Sequence, residues 1–209
     1  GDSPHSDQLD YQVMAEDVRQ LIIRLGLKSC CIVGHSMGGK VAMQLALNSP
    51  DLVDKLVIVD IAPVSYSEDA DSHMNVLAAM DAVKLSEIQS RTEAEVTLED
   101  YIPQEALRKF VLTNLARNKE GLFEWRLHND SIRENYAKLR SELVSTKSFS
   151  KPVLFVKGSL SLYIKPEYET QIKELFPVAS VKLIMDAGHW LHAEQPQALQ
   201  KVLLKFLPS

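Results

Sequence analysis

The stretch Ile32-Val33-Gly34-His35-Ser36-Met37-Gly38-Gly39-Lys40-Val41 decides the fold. Its centre reads G-x-S-x-G. The apolar run Cys30-Cys31-Ile32-Val33 precedes it, and Val41-Ala42-Met43-Gln44-Leu45-Ala46-Leu47 follows. A buried strand, a tight glycine turn and an immediate helix form the context that a nucleophile elbow requires. In that geometry Ser36 stands at the tip of a strained turn. Side chains at Gly34 and Gly38 are expected to collide with the neighbouring backbone. The helix that opens there aims its first N–H groups, and the positive end of its dipole, at the serine. A plain glycine-rich βα turn is the bland alternative; strand before and helix after favour an esterase-type nucleophile.

Working outward, apolar residues Met14, Val18, Leu21, Ile22 and Leu25 recur at helical spacing ahead of Gly26. Leu27 to Val33 reads as the strand feeding the elbow, and Lys40 to Asn48 as the elbow helix. Beyond Ser49-Pro50, the β-branched run Leu56-Val57-Ile58-Val59 suits a strand buried on both faces, ending in Asp60. Val153 to Val156 and Val181 to Met185 read as two more strands, with helices over Pro166–Phe176 and Ala193–Phe206. Strands alternating with helices predict an α/β fold, a parallel sheet with helices on both faces and right-handed crossovers.

Between about Val64 and Ser150 the composition changes to short helical patterns and charged linkers. One helical pattern runs through Ala106, Leu107, Phe110, Val111 and Leu115; Phe123 to Leu127 reads as a short extended piece. A mostly helical insertion between two parallel strands is a natural lid. The expected division is residues 1–63 core, 64–150 lid and 151–209 core. Met74, Leu77, Met80, Phe110 and Trp125 serve either as the lid's own small core or as the wall of an acyl pocket.

The chain has 209 residues, 45% apolar and 24% charged, with net charge −5 and no basic block. That composition is ordinary for a globular domain and points away from nucleic-acid partners. No apolar run approaches a membrane span. The only cysteines, Cys30 and Cys31, are adjacent. Neighbours on a strand point to opposite faces, so they read as reduced, buried small hydrophobes in a reducing compartment, cytoplasmic or, in a eukaryote, mitochondrial. The first residue is Gly1 rather than Met, so no targeting signal is legible.

A serine nucleophile needs a base and a group to orient that base. In a parallel sheet these come from loops at the carboxyl ends of strands. His189 follows the last strand through Asp186-Ala187-Gly188 and is the candidate base. The loop after Val156 holds no carboxylate before Glu167, which leaves Asp60 as the favoured acid and Asp186 as its rival. His189 and His192 form H-x-x-H without a third ligand, so no metal site and no cofactor are expected. His35 reads as a packed, hydrogen-bonded ring or a substrate contact. Ser161 reads as a turn hydroxyl or a substrate contact, and Trp190 as a substrate contact.

Five pieces together resemble the alpha/beta-hydrolase superfamily, above all the alpha/beta-hydrolase domain-containing protein 11 family and its bacterial esterase relatives. They are Gly1-Asp2-Ser3-Pro4; Gly34-His35-Ser36-Met37-Gly38-Gly39-Lys40; Val59-Asp60-Ile61-Ala62-Pro63-Val64; Leu112-Thr113-Asn114-Leu115 with Trp125-Arg126; and Ala187-Gly188-His189-Trp190-Leu191-His192-Ala193. The resemblance implies Ser36 as nucleophile, His189 as base and Asp60 as the acid after the earlier strand. It implies hydrolysis of small-molecule acyl esters or thioesters, with the Met37 N–H as an oxyanion donor and a helical cap over the acyl chain. A non-catalytic binding or scaffold protein, or a cofactor-free peroxidase or lyase reaction, are the alternatives the same fold allows.

Two departures stand out. The family's Gly-Gly-Asn-Ser-Pro-Tyr is here Gly158-Ser159-Leu160-Ser161-Leu162-Tyr163, which implies a reshaped loop. The family's N-terminal strands, with the His-Gly loop that carries a second oxyanion donor, have no counterpart in the sequence. A truncated sheet with an unpaired edge at the elbow strand is therefore expected.

Overall fold

Tyr11–Arg24 forms helix α1 because Asp10 caps it, its carboxylate accepting from the Val13 N–H at 2.9 Å. The computed structural model describes residues 4–67 and 73–207. The Gly1-Asp2-Ser3 part of the first resemblance piece lies outside them. The chain divides into two units: residues up to 9 with 67–138, and residues 10–66 with 139 onward.

The larger unit holds a four-stranded parallel sheet. Its strands are β1 (Cys30–His35), β2 (Val53–Val59), β5 (Val153–Gly158) and β6 (Ser180–Ile184), in the order β1-β2-β5-β6. Alternation along β2 feeds two cores. Leu56 and Ile58 join Met43, Leu45, Phe155 and Phe176 on one face. Val57 and Val59 join Leu154, Val156, Ile184 and Leu199 on the other. This is why the run reads as continuously apolar: a strand covered by helices on both sides has no polar face to show. The first face is covered by α1 and by α2 (Met37–Asn48); the second is covered by α10 (Pro196–Phe206). Between β5 and β6 lies a 3-10 turn at Pro166–Tyr168 and helix α8 (Glu169–Leu175), where one continuous helix was expected.

Two expectations shift. The feeding strand begins at Cys30, three residues later than the apolar pattern suggested, and runs on through Gly34 and His35. The Leu27 N–H is already bonded to the Ile22 carbonyl in closing α1, so it cannot join the ladder. In α1 the fully buried stripe is Tyr11, Ala15 and Ile22, with Met14 and Val18 half-buried beside it; Leu21 and Leu25 are exposed. At the sheet's margins, among the described residues, β1 pairs only with β2, and β6 only with β5.

The smaller unit has its own core around Met80, Leu98, Ile102, Val111, Leu115 and Phe123. It carries α3 (His73–Ala82), α4 (Arg91–Glu99), α5 (Glu105–Leu112) and α6 (Asn129–Glu134). A short helix, α7 (Tyr136–Arg140), crosses from this unit into the other. Leu77 and Met80 are buried, and the Trp125 indole donates to the Met80 carbonyl at 3.0 Å, while Met74 and Phe110 are exposed.

The helical pattern read through Leu115 is corrected: α5 stops at Leu112. Leu115–Arg117 (β3) pairs antiparallel with Phe123–Trp125 (β4). The reason is local. Thr113 and Asn114 turn their side chains back onto the Phe110 and Val111 carbonyls and so compete with helix propagation. Asn118 Oδ1 then accepts from the Glu120 and Leu122 N–H groups, each at 3.0 Å, and builds the hairpin turn.

Candidate active site

The site grows from the ends of three strands of the larger unit. At the end of β1 the chain turns at Ser36 (φ 53°, ψ −125°), a conformation costing of order 1–3 kcal/mol for a residue with a side chain. It is held from both sides. The Ser36 N–H donates to the Val59 carbonyl at 3.0 Å, and the Gly39 N–H donates to the Ser36 carbonyl at 2.8 Å.

A Cβ at Gly34 would lie 2.3 Å from the Gly38 carbonyl oxygen, so the turn closes only around glycine there. Gly38 itself meets nothing within 4 Å, contrary to expectation; the crowded partner is Gly39, whose Cβ would lie 2.5 Å from Ile61 Cγ2. The conflict belongs to the helix face that packs onto the chain after β2.

Asp60 follows β2 with φ 54° and is fully buried. Its Oδ1 accepts from the Gly158 N–H at 3.1 Å; its Oδ2 accepts from His189 Nδ1 at 2.8 Å and from the Ser161 hydroxyl. A carboxylate oxygen only accepts, so Nδ1 carries the imidazole proton and Nε2 presents its lone pair. That lone pair faces Ser36 Oγ at 2.9 Å. Ser36, His189 and Asp60 thus form one directed hydrogen-bond chain. Asp186 does not enter it. Its backbone N–H donates to the Ser159 hydroxyl oxygen at 2.9 Å, and the residue is exposed.

Three further contacts fix the imidazole. Tyr163 stacks on it, ring centroids 4.0 Å apart at 26°. The His35 Nε2–H donates to the His189 carbonyl at 2.8 Å, and the His35 ring lies 4.8 Å from the His189 ring. Burial holds the His35 imidazole below its ordinary pKa, which favours the neutral ring beside His189. Glu194 accepts from the N–H groups on either side of His189, Gly188 at 2.7 Å and Trp190 at 3.0 Å. Trp190 stands half in solvent near the His35 and His192 rings. Ser161 is buried, its hydroxyl turned onto Asp60 rather than outward. Among the described residues no group of histidines, cysteines or carboxylates has the arrangement of a metal site.

Sequence reasoning missed Glu194 and Tyr66. The Tyr66 hydroxyl accepts from the Ala62 N–H at 2.8 Å and donates to the Tyr163 carbonyl at 2.7 Å, tying the chain after Asp60 to the ring stacked on His189. Glu194 had a faint signal in its spacing, four residues beyond Trp190 where a carboxylate can reach back to cap a short helix, α9 (Leu191–Glu194). Tyr66 had none, because the residue it ties to Ala62, Tyr163, is distant in sequence.

The profile described as the alpha/beta hydrolase fold matches residues 1–97. The mouse protein named sn-1-specific diacylglycerol lipase ABHD11 is 40% identical over 212 residues, spanning 99% of this chain and 68% of that protein. The chain belongs to the α/β-hydrolase family. Esterase YbfF of Escherichia coli is 31% identical, covering 99% of this chain and 78% of its own length. A solved structure titled a marine microorganism esterase superposes with a TM-score of 0.96 at 41% identity, over 99% of this α/β hydrolase and 81% of the other chain. The chain thus spans about two thirds to four fifths of the length of these relatives. The reaction class that goes with this membership is ester hydrolysis of small molecules. No helix among the described residues is long and apolar enough to cross a membrane.

Proposed function

We propose that this α/β hydrolase cleaves carboxylic esters or thioesters of acyl substrates through an acyl-enzyme on Ser36. The observation that carries the reading is the chain Ser36 Oγ···Nε2 His189 Nδ1···Oδ2 Asp60, at 2.9 and 2.8 Å. His189 Nε2 takes the Ser36 proton as Oγ attacks the acyl carbonyl. The tetrahedral oxyanion forms against the Met37 N–H, a first-turn group with no acceptor within α2. Collapse breaks the bond to the leaving alkoxide or thiolate, which receives the proton from Nε2. Water then attacks the acyl-enzyme, giving its proton to His189. The carboxylic acid departs, and the proton returns to Ser36.

In this scheme Asp60 orients His189, while Ser161 and the Gly158 N–H hold Asp60. Trp190, half exposed beside the histidines, is the better candidate for contact with substrate; the hydroxyl of Ser161 is already engaged. Both cysteines are free thiols, which fits a reducing compartment. The experiment is labelling with a fluorophosphonate, followed by turnover of paired oxygen ester and thioester substrates, a diacylglycerol among them. Labelling confined to Ser36 and absent in Ser36→Ala is expected. A chain that binds the esters yet neither labels nor turns them over would make it a binding module.

A further inference from the structure

Edge strand β6 and helix α10 enclose a groove of about 790 Å³ on the outer margin of the sheet. That is within the size range of sites for small molecules. Its floor is apolar: Leu154 and Ile184 are buried in the core beneath, and Ala198, Val202 and Phe206 pack against that core from the helix. Its rim is basic. Lys182 projects from β6, and Lys201 and Lys205 come from α10 at a spacing of four, which puts both on one helix face. None of the three has a carboxylate partner among the described residues, although the chain as a whole carries net charge −5. The single carboxylate lining the groove is Asp186, at the end where Gln195 begins the helix. The lysines lie beyond it, toward the Phe206 end.

We infer that this groove binds a long-chain carboxylate, its acyl chain on the apolar floor and its head group among Lys182, Lys201 and Lys205. An apolar channel rimmed on one side by unpaired cations complements an amphiphile with one anionic end. A second copy of this chain complements it poorly, because a two-fold contact would bring lysines against lysines. Nothing in the inference depends on Ser36.

Dodecanoate is the probe, titrated by calorimetry into the full chain carrying Ser36→Ala, with dodecanol as its uncharged twin. Saturable dodecanoate binding is expected, retained when Ser36 of the unsubstituted chain is covalently blocked by a long-chain phosphonate. The triple variant Lys182→Gln, Lys201→Gln, Lys205→Gln should lose about tenfold in dodecanoate affinity and almost none for dodecanol. Its turnover of a short ester should be unchanged, which also reports that it folds. Ala198→Trp, which fills the floor, should weaken both ligands. Loss of dodecanoate binding on blocking Ser36 would move the site to the catalytic pocket and overturn the inference. So would indifference to the lysine changes, or co-sedimentation with anionic phospholipid vesicles in the absence of any binding to dodecanoate monomer.

Discussion

Asp60 and Asp186 both follow strands and both have positive φ, 54° and 55°, yet only one of them meets the imidazole. If Asp60 selects the His189 tautomer, Asp60→Asn should lower kcat by about 10⁴, as in serine-protease triads, because an amide there admits the wrong tautomer. Asp186→Asn should stay within about twofold. Steady-state kinetics on one chromogenic ester decides between them, and a reversed pattern would transfer the role. Ser161→Ala removes one of three donors to Asp60 and also leaves the Tyr163 N–H, bonded to Ser161 Oγ at 3.2 Å, without its acceptor. A hydrogen bond to a charged group is worth roughly 1.5–3 kcal/mol, so kcat should fall at least about tenfold while KM holds. A rise in KM with kcat intact would instead make Ser161 a substrate contact.

The elbow is an element in which one backbone approach controls the whole turn. Gly34→Ala sets a Cβ 2.3 Å from backbone that cannot yield, whereas Gly38→Ala enters open space. Gly34→Ala should therefore cost about 3 kcal/mol or more, at the upper end of overpacking penalties, and Gly38→Ala well under 1 kcal/mol. Urea unfolding of the two variants tests this, and equal losses would refute the packing argument. This element also marks how far the sequence could be read. Ser36, Asp60 and His189 were legible because each sits at a strand end that the apolar runs announce. The identity of the crowded glycine was not, since Gly39 meets Ile61, a residue on another segment. The β3–β4 hairpin was hidden for a similar reason. Leu115 continues a helical period, and only the side-chain bonds of Thr113, Asn114 and Asn118 divert the backbone. Tyr66 and Tyr163 act on His189 across the tertiary structure, where periodicity carries no information.

On the scale of the larger unit, one buried cation joins segments far apart in the chain. Lys40, on α2, is 1% exposed. Its Nζ donates to the Val64 carbonyl at 2.8 Å and the Ser141 carbonyl at 2.6 Å, with the Tyr11 and Tyr66 rings 5.4 and 5.0 Å away. Close by, the segments that follow β2 and α7 are bonded together, Tyr66 N–H to the Arg140 carbonyl and Leu143 N–H to the Pro63 carbonyl, each at 3.0 Å. Burial pushes the Lys40 ammonium down from 10.5 to about 8, against a smaller opposing pull from Glu142. The sign follows from proton counting. Below pH 8 both folded and unfolded chains hold the proton, and the cost of burying the charge is fully present. Between pH 8 and 10.5 the folded chain has released the proton while the unfolded chain keeps it, so stability rises with pH. Burial raises the pKa of Tyr11 and Tyr66, and they act in the opposite sense above about pH 10, where unfolded tyrosine ionises. Between pH 8 and 9.5 the tyrosines are silent, and the Cys30 thiol, which burial also pushes up, is common to any Lys40 variant and cancels in the comparison. Across that window the unfolding free energy of the native sequence should gain about 2 kcal/mol relative to Lys40→Met, which has no proton to lose. At pH 7 the two should differ less, since methionine removes the desolvation penalty but leaves two carbonyls without their donor. Urea titrations of both proteins at pH 7, 8 and 9.5 measure the difference directly. Parallel stability curves would mean that Lys40 keeps its proton in the folded chain, and that the two carbonyls and two rings around it compensate fully for its burial.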